Sequence, residues 1–360
     1  MRRIRRGRAS AGVGSHPDTH PDRREGCGEK RFRRLRLLAL TGLLTGFVLP
    51  PGEALAQTSA QTWPSRPIRF ISPQPPGGAS DTFARLIGQR VSAALGQPVV
   101  VENRAGAAGI IGSDVVAKAP PDGYTFLVTF ASHNLLPFTS KSLPFDAVRD
   151  FTPIIPAALT PFCLAVNPAV PAATAVELID YVRRNPGKVA YGSPGAGTVS
   201  QLAGELINLS AGLDMTHVPY KGGSPGIADL VGGQLPVGIF TLSTVMPSAR
   251  AGKLRVLGVV EQHRARGAPD IPTLAEAGVP GFPLPDSWIG FLGPAGLPEA
   301  ITRRFNAEVT AAIQLREVAD QLQAIGLEVS GGTPEQFRDT ILRNTEVYRR
   351  VVQAARIKAE

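Results

Sequence analysis

Short apolar segments alternate with longer segments of helical periodicity along most of the chain. Residues 68–72 form an apolar run of the kind found in buried strands. The segment 80–95 follows it, with Phe83, Ile87 and Val91 spaced to lie on one helical face. This alternation is typical of parallel sheets covered by helices. The sequence therefore predicts an α/β fold.

The remaining segments continue the same alternation. Further strands are predicted at residues 99–101, 124–130, 189–192, 215–218, 237–240 and 254–260. Further helices are predicted at residues 110–118, 176–184, 200–209 and 227–231. The tail, residues 298–356, is predicted to form three helical stretches around a short strand at 327–329.

Two stretches are candidates for crossings between two lobes. The first is the extended apolar run at residues 162–166, and the second is the proline-rich segment 269–285 that leads into residues 287–292. If the chain leaves one lobe at the first stretch and returns at the second, the tail helices complete the first lobe. We therefore expect lobe 1 to comprise residues 57–161 and 289–360, lobe 2 to comprise residues 162–288, and a cleft to separate them.

The first 56 residues have the order of a signal peptide. A basic stretch at residues 30–36 precedes an apolar stretch at 37–49, and Ala54-Leu55-Ala56 precedes Gln57. The apolar stretch is shorter than the roughly 20 residues of a membrane-spanning helix and contains two glycines. We expect cleavage near Ala56 and release of a soluble protein into the periplasm.

The same leader carries most of the excess positive charge. The whole chain has a net charge of +9, but residues 1–56 contain 12 of the 38 basic and 5 of the 29 acidic residues. The remaining body has 26 basic and 24 acidic residues and shows no basic stripe with interleaved aromatic residues. We expect no nucleic-acid partner. Cys163 is the single cysteine of the mature chain, which excludes an intramolecular disulfide.

Two glycine-containing turns each follow a predicted strand and open a predicted helix. They are the first loop, residues 73–81 (PQPPGGASD), and the second loop, residues 193–200 (SPGAGTVS). Glycine lets a ligand approach the backbone, Ser80 is a candidate helix N-cap, and N–H groups in a first helical turn attract anions. Two such loops that face each other across a cleft would hold both ends of a small acid.

Other motifs compete with this interpretation. Gly195, Gly197 and Ser200 approach the dinucleotide-binding pattern, but the third glycine is missing and Asp214 precedes its strand. Residues 222–226 (GGSPG) match the Gly-x-Ser-x-Gly nucleophile motif, so an exported serine hydrolase that uses Ser224 is the alternative function. Histidines are isolated in the sequence, and we expect no metal ion and no cofactor.

Several motifs in this order resemble the Bug-type family, the periplasmic solute receptors of tripartite tricarboxylate transporters. The resemblance covers residues 63–358 and rests on WPSRPI at 63–68, PGG at 76–78, VVVENR at 99–104, PDGYT at 121–125, GAGT at 195–198, HVPYKG at 217–222 and PTLAEAG at 272–278. It implies a two-lobed periplasmic-binding-protein fold of type II, the Venus-flytrap arrangement. It also implies a non-enzymatic receptor that passes a small carboxylate to the membrane permease subunits of such a transporter, or to a signalling partner.

The resemblance also implies which residues face the ligand. Three segments contribute: Gln74, Gly77, Gly78, Ala79, Ser80 and Asp81; Ser132, His133 and Asn134; and Ser193, Gly195, Ala196, Gly197 and Thr198. Many members have phenylalanine where Gln74 stands, histidine where Gln201 stands, and an Asp-Asn pair where this chain has Phe240-Thr241. We expect Phe240 to favour a ligand with an apolar or aromatic part, and we expect the receptor to be a monomer.

Overall fold

The structure is a computed structural model that describes residues 63–281, 284–357 and 359. The predicted signal peptide, residues 1–56, lies outside the described residues. Among the helices that are described, none combines the length and the apolar character that crossing a bilayer requires.

The elements of the described residues are numbered in chain order. The strands are β1 (Ile68–Ser72), β2 (Val99–Asn103), β3 (Thr125–Phe130), β4 (Phe151–Leu159), β5 (Phe162–Val166), β6 (Ala190–Ser193), β7 (Thr216–Pro219), β8 (Val237–Thr241), β9 (Arg255–Val259), β10 (Trp288–Pro294) and β11 (Glu328–Val329). The helices are α1 (Ala79–Leu95), α2 (Ile110–Ala117), α3 (Leu136–Thr139), α4 (Ala175–Arg184), α5 (Val199–Ala211), α6 (Gly223–Val231), α7 (Leu242–Arg250), α8 (Glu299–Gln314), α9 (Arg316–Ala324) and α10 (Pro334–Ala354).

The strands form two sheets, which confirms the predicted α/β class. The first sheet has the order β11-β4-β10-β3-β1-β2, and the second has the order β7-β6-β8-β5-β9. In the first sheet β1 pairs in parallel with β2 and β3, and in the second β6 pairs in parallel with β7 and β8. The chain returns to the first sheet through β10 and enters the second through β5, and each of these strands pairs antiparallel with both of its neighbours.

The chain moves from the first sheet to the second between β4 and β5, and it returns between β9 and β10. The first passage immediately precedes the indicated run 162–166, which forms β5, and the second contains the indicated segment 269–285. The predicted lobe limits, residues 57–161 with 289–360 and residues 162–288, stay a prediction.

Three elements that contain proline were missed from the sequence, namely α3, β4 and α7. Strand β4 carries Pro153 and Pro156, and proline cannot donate a hydrogen bond within a sheet. The structure tolerates both because β11 pairs with β4 only at Ala158 and Leu159, and β10 pairs on the other side with shifts in register. Helix α7 contains Pro247 and was likewise not predicted.

Aromatic rings fill the core of the first sheet. Phe126 stacks on Phe305 of α8 with 4.0 Å between ring centroids, and Phe70 packs edge-on against Phe291 at 4.9 Å. All four rings are fully buried. They connect β1, β3, β10 and α8, so residues far apart in the sequence share one core around β1.

A buried carboxyl group lies where the chain passes between the two sheets. Glu261 follows β9, is 4% exposed, and accepts hydrogen bonds from the N–H of Phe162 at 3.0 and 3.1 Å. Burial, with a smaller contribution from the charge of Asp286, raises the pKa of Glu261 to about 8. Burial, with a smaller contribution from Glu261, raises the pKa values of the Cys163 thiol and the Tyr348 phenol.

We expect this carboxyl to make the protein less stable as the pH rises. Between the ordinary pKa of a glutamate, near 4.5, and about 8, the folded state keeps a proton that the unfolded chain has lost. The free energy of unfolding should therefore fall through this interval, by at most about 5 kcal/mol. Glu261→Gln should remove this contribution and be more stable than wild type at pH 8.5. Urea unfolding of both proteins at pH 5.5, 7 and 8.5 measures the free energy of unfolding at each pH.

The exposed Glu317 of α9 offers the matched control for this experiment. Glu317→Gln should keep the pH dependence of the wild-type protein. If the free energy of unfolding changed equally with pH in wild type and Glu261→Gln, Glu261 would already be ionised in the folded protein at pH 6.

Candidate functional site

Both glycine-containing loops begin at the carboxyl end of a central strand. The first loop follows β1, which lies between β2 and β3, and the second loop follows β6, which lies between β7 and β8. In each case the two flanking strands run parallel to the central one, and the loop enters a helix, α1 or α5. Ligands of open α/β sheets bind at such positions, where the connections to the neighbouring strands diverge.

The two loops enter their helices with the same arrangement of a glycine and a hydrogen bond. Gly77 has φ +80° and donates its N–H to a carboxylate oxygen of Asp81 at 2.9 Å. Gly197 has φ +69° and donates its N–H to Oε1 of Gln201 at 2.8 Å. In both loops the acceptor is the third residue of the helix, and the glycine adopts a left-handed conformation that other residues rarely reach. The correspondence shows that the two loops are built alike.

The two loops differ in how the helix itself is capped. Thr198 is the N-cap of α5, and its hydroxyl accepts from Gln201 N–H. The N-cap of α1 is Gly78, which has no side chain, so the prediction of Ser80 as N-cap is wrong. Ser80 lies within the first turn of α1 and is fully buried, and its N–H donates to Oε1 of Gln74 at 3.1 Å.

A cavity of about 590 Å³ connects the two loops. The first loop lines it with Pro73, Gln74 and Pro75, and the second loop lines it with residues 194–198. The other lining residues are Ala105, Gly106, Ala108, Gly109, Ser113, Thr129, Phe130, Ser132, His133 and Leu136. We call this space the loop cavity.

Seven residues of the predicted site line the loop cavity: Gln74, Ser132, His133, Gly195, Ala196, Gly197 and Thr198. Gly77, Gly78, Ser80 and Asp81 of the first loop do not line it. Gly77 and Asp81 hold each other, and Asp81 also accepts from Asn103 and pairs with Arg85. These donors keep the pKa of the Asp81 carboxyl low despite its burial. The N–H groups of Gly77, Gly78 and Ser80 are all bonded within the protein, which leaves them unavailable to a ligand in this arrangement.

Three further residues of the predicted site do not line the loop cavity. Asn134 is buried and donates to the carbonyl of Ile341 and the hydroxyl of Thr345 on α10. Ser193 is buried, accepts from Gly195 N–H, and lies 2.7 Å from Nε2 of His217. Ala79, the first residue of α1, is exposed and does not line the loop cavity.

The expectation for Phe240 needs correction. The ring of Phe240 is fully buried in the core of the second sheet, where it packs over Gly226 and Gly238. A methyl group on either glycine would approach the ring to 2.5 Å. Phe240 therefore fills space behind the sheet and does not favour an apolar ligand.

Sequence reasoning missed one wall of the loop cavity. Four residues after β2 form part of the lining, namely Ala105, Gly106, Ala108 and Gly109. Within this segment Ala107 and Ala108 have φ of +46° and +52°. Such values are uncommon for residues with a side chain and often occur at functional sites. The signal was present in the sequence, because AGAAG at 105–109 is a third small-residue turn between a strand and a helix.

His133 lines the loop cavity without bringing positive charge. Its Nε2 lies 3.0 Å from the carbonyl oxygen of Ala147, which only accepts, so Nε2 carries the proton. Its Nδ1 then accepts from the hydroxyl of Ser113 at 3.4 Å. Burial lowers the pKa of His133 to about 4. The ring is therefore neutral at pH 7.

The described lining residues of the loop cavity include no aspartate, glutamate, lysine or arginine. Hydrogen-bond donors are present instead. The N–H groups of Ala196 and Thr198 have no hydrogen-bond partner within the described part of the chain. They lie just before α5, whose first turn carries partial positive charge. A neutral cavity with free N–H groups at a helix N-terminus suits an anion held by backbone dipoles.

A second cavity, of about 730 Å³, adjoins the loop cavity at Ala108, Ala196 and Gly197. Its lining includes three charged residues, Lys141, Glu205 and Arg356. One oxygen of Glu205 accepts from the hydroxyl of Tyr191 at 2.7 Å. Charged residues therefore line this adjoining cavity but not the loop cavity.

The competing motifs find no support in the geometry. Ser224 is exposed in the first turn of α6, and none of its hydrogen bonds within the described residues involves a histidine. His263, the histidine that a nucleophile order would require, lies 3.1 Å from Asp286. Where the structure describes the chain, it has no group of three or more metal-binding side chains.

The two-sheet fold and a cavity at paired strand-to-helix loops define the class of periplasmic solute-binding proteins. The family model described as "Tripartite tricarboxylate transporter family receptor" matches residues 83–357, and the chain belongs to this family. The relatives include BugT of Bordetella pertussis (strain Tohama I). It is 35% identical over 320 residues, which are 88% of this chain and 97% of BugT.

Two solved structures of similar proteins contain acids. Rpa4515 of R. palustris, solved with adipate, is 33% identical with a TM-score of 0.72 and covers 83% of this chain and 100% of its own. MatC of Rhodopseudomonas palustris, solved with bound malate, is 31% identical with a TM-score of 0.67 and covers 80% of this chain and 99% of its own. The predicted family and fold are thus confirmed.

The neutral His133 leads to a prediction about binding. No described group that lines the loop cavity titrates near neutral pH, so affinity for a carboxylate should change by less than about twofold between pH 6 and 7.5. If a histidine of ordinary pKa, near 6.5, had to be protonated for binding, affinity would rise roughly eightfold over the same decrease in pH. Calorimetric titration at four pH values, with adipate as the probe, distinguishes the two results.

Proposed function

We propose that this chain is an extracytoplasmic receptor that captures a small mono- or dicarboxylic acid in the loop cavity. It then delivers the acid to the membrane permease subunits of a tripartite tricarboxylate transporter or to a signalling partner. The observation that carries the proposal is that Ala196 and Thr198, whose N–H groups have no partner among the described residues, line a cavity without charged lining. Such donors satisfy a carboxylate without requiring a cation.

The acids in similar proteins support this substrate class. Adipate and malate, found with Rpa4515 and MatC, are both dicarboxylates. A cavity of about 590 Å³ falls within the usual range for small-ligand sites, roughly 300 to 1,000 Å³. An acid that touches loops of both sheets would bind more tightly when the sheets approach each other, so ligand contacts would drive closure.

The remaining parts of the proposal concern the state of the protein. We propose that the receptor is a monomer in the periplasm, is not an enzyme, and needs neither a metal ion nor a nucleotide to bind its acid. Within the described residues no histidine hydrogen-bonds to Ser224, which argues against the serine hydrolase alternative. A binding isotherm that survives treatment with a chelator would support the metal-free site.

Gly197→Val should abolish acid binding. The left-handed φ of +69° is strained for a β-branched residue, so the second loop would shift and misplace the N–H groups of Ala196 and Thr198. Affinity should fall by roughly 100-fold or more, because a carboxylate would lose charge-assisted hydrogen bonds. Native mass spectrometry of the unrefolded wild-type protein identifies the acid that co-purifies, and calorimetric titration with that acid, adipate and malate measures the loss.

The matched control is Gly212→Val at the other end of α5. Gly212 has φ +62°, and no atom lies within 4 Å of the position that a Cβ would take. It therefore imposes similar backbone strain away from the cavity, and affinity should be unchanged. Ser224→Ala should also bind normally. Wild-type affinity in a folded Gly197→Val protein would place the site elsewhere.

Export makes a separate prediction. If Ala54-Leu55-Ala56 is the cleavage signal, the secreted protein begins at Gln57 and has 304 residues. N-terminal sequencing of protein from the periplasmic fraction tests this directly. A protein that keeps residues 1–56 or sediments with membranes would contradict it.

A further inference from the structure

Gln74 is one of the few polar side chains that line the loop cavity, and its amide is held in one orientation. Oε1 accepts from the backbone N–H of Ser80 at 3.1 Å and from the Ser80 hydroxyl at 3.2 Å. A backbone N–H can only donate, so the atom that faces Ser80 must be the oxygen. The amide nitrogen, Nε2, therefore lies on the other side.

The orientation is reinforced by a closed ring of hydrogen bonds. Because the Ser80 hydroxyl donates to Gln74, it must accept from the Ser72 hydroxyl, which lies 2.7 Å away. The Ser72 oxygen lies in turn 3.5 Å from the backbone N–H of Gln74. Both serines are fully buried, so the ring is shielded from water. The ring makes rotation of the amide unfavourable, since a flip would place N–H groups against the Ser80 donor.

A glycine makes room for this arrangement. A Cβ at Gly78 would lie 2.9 Å from Oε1 of Gln74, closer than side-chain atoms normally approach. Gly78 has φ −67°, a value open to any residue, so space and not backbone conformation requires glycine here. The Gln74 side chain thus occupies the end of α1 that a ligand oxygen would otherwise contact.

The two hydrogens of Nε2 have no hydrogen-bond partner within the described residues, although Gln74 lines the loop cavity. We propose that this amide nitrogen is a specificity-determining donor that binds a second oxygen acceptor of the ligand. The inference rests on the proposed capture of a carboxylate by the second loop. It adds that the preferred ligand is polar at both ends, as in a dicarboxylate. A monocarboxylate would leave the amide donor unpaired, and an ammonium group would be repelled by it.

The sharpest test introduces a charge at Gln74. In Gln74→Glu, one carboxylate oxygen can still accept from Ser80 N–H, and a negative charge at a helix N-terminus is favourable. The other oxygen replaces the donor with a negatively charged acceptor. Thermal stability should therefore be retained or raised, while dicarboxylate affinity falls by roughly 100-fold or more. Gln74→Met removes the donor without adding charge and should lower dicarboxylate affinity about 10-fold.

The matched control for the charge is Gln336→Glu. Gln336 is exposed near the start of α10, and its Oε1 accepts from Thr333 N–H, so the same substitution is made at another helix N-terminus. It should leave affinity unchanged. Gly78→Ala is the second independent variant, because it displaces the Gln74 amide while keeping its chemistry. Its dicarboxylate affinity should fall to that of Gln74→Met.

Calorimetric titration should use matched probes: succinate with butanoate, adipate with hexanoate, and azelate with nonanoate. We expect wild type to favour the best-binding dicarboxylate over its monocarboxylate partner by about 10-fold or more, and Gln74→Met to lose this preference. Equal binding of both partners by wild type, or unchanged dicarboxylate affinity in Gln74→Glu, would overturn the inference and leave carboxylate capture standing. If none of the six acids binds wild type and no acid co-purifies, the proposed function fails and the inference fails with it.

Discussion

The N–H groups of a loop that enters a helix, like those of the helix's first turn, find no hydrogen-bond acceptor among the carbonyls of that helix. Both loops of this protein meet that constraint with side chains of their own helix, Asp81 in α1 and Gln201 in α5, each of which accepts from a loop glycine. The first loop goes further, because Gln74 also accepts from Ser80. Among the described residues, these internal bonds leave the N–H groups of Ala196 and Thr198 in the second loop unpaired, and a ligand can use them.

The loop cavity is neutral because charge is kept away from it. His133 loses its proton to burial, Asp81 faces Arg85 and Asn103 behind the first loop, and the charged residues Lys141, Glu205 and Arg356 line the adjoining cavity. An anion would thus be bound by fixed dipoles in a partly enclosed space, where each hydrogen bond is stronger than it is in water. Backbone dipoles also impose little selectivity among acids, so discrimination falls to side chains such as Gln74.

The passage between the two sheets has its own buried polar group. Glu261 accepts from the N–H at the start of β5, and that N–H would otherwise be buried without a partner as the chain changes sheet. A protonated carboxyl fulfils this role without burying a charge, which explains why burial favours the neutral form. The same strands carry the chain between the two loops, so the geometry of this passage affects how the two sides of the site face each other.

The order of elements was readable from the sequence, because period-2 and period-3.6 patterns follow from local geometry. The sequence likewise indicated both glycine-containing loops, since a tight turn from strand to helix needs residues that reach positive φ, as Gly77 and Gly197 do. It did not indicate α7, which contains Pro247, or β4, whose prolines are tolerated because its partner strands pair with it irregularly or over two residues only. Nor could it show that Phe240 fills the core behind β8 or that Asn134 anchors α10, since a strand pattern does not say what packs on each face. Only the tertiary structure decided which loop N–H groups stay free and which way the Gln74 amide points. The reason is that packing selects hydrogen-bond partners that lie across a turn or far apart in the sequence.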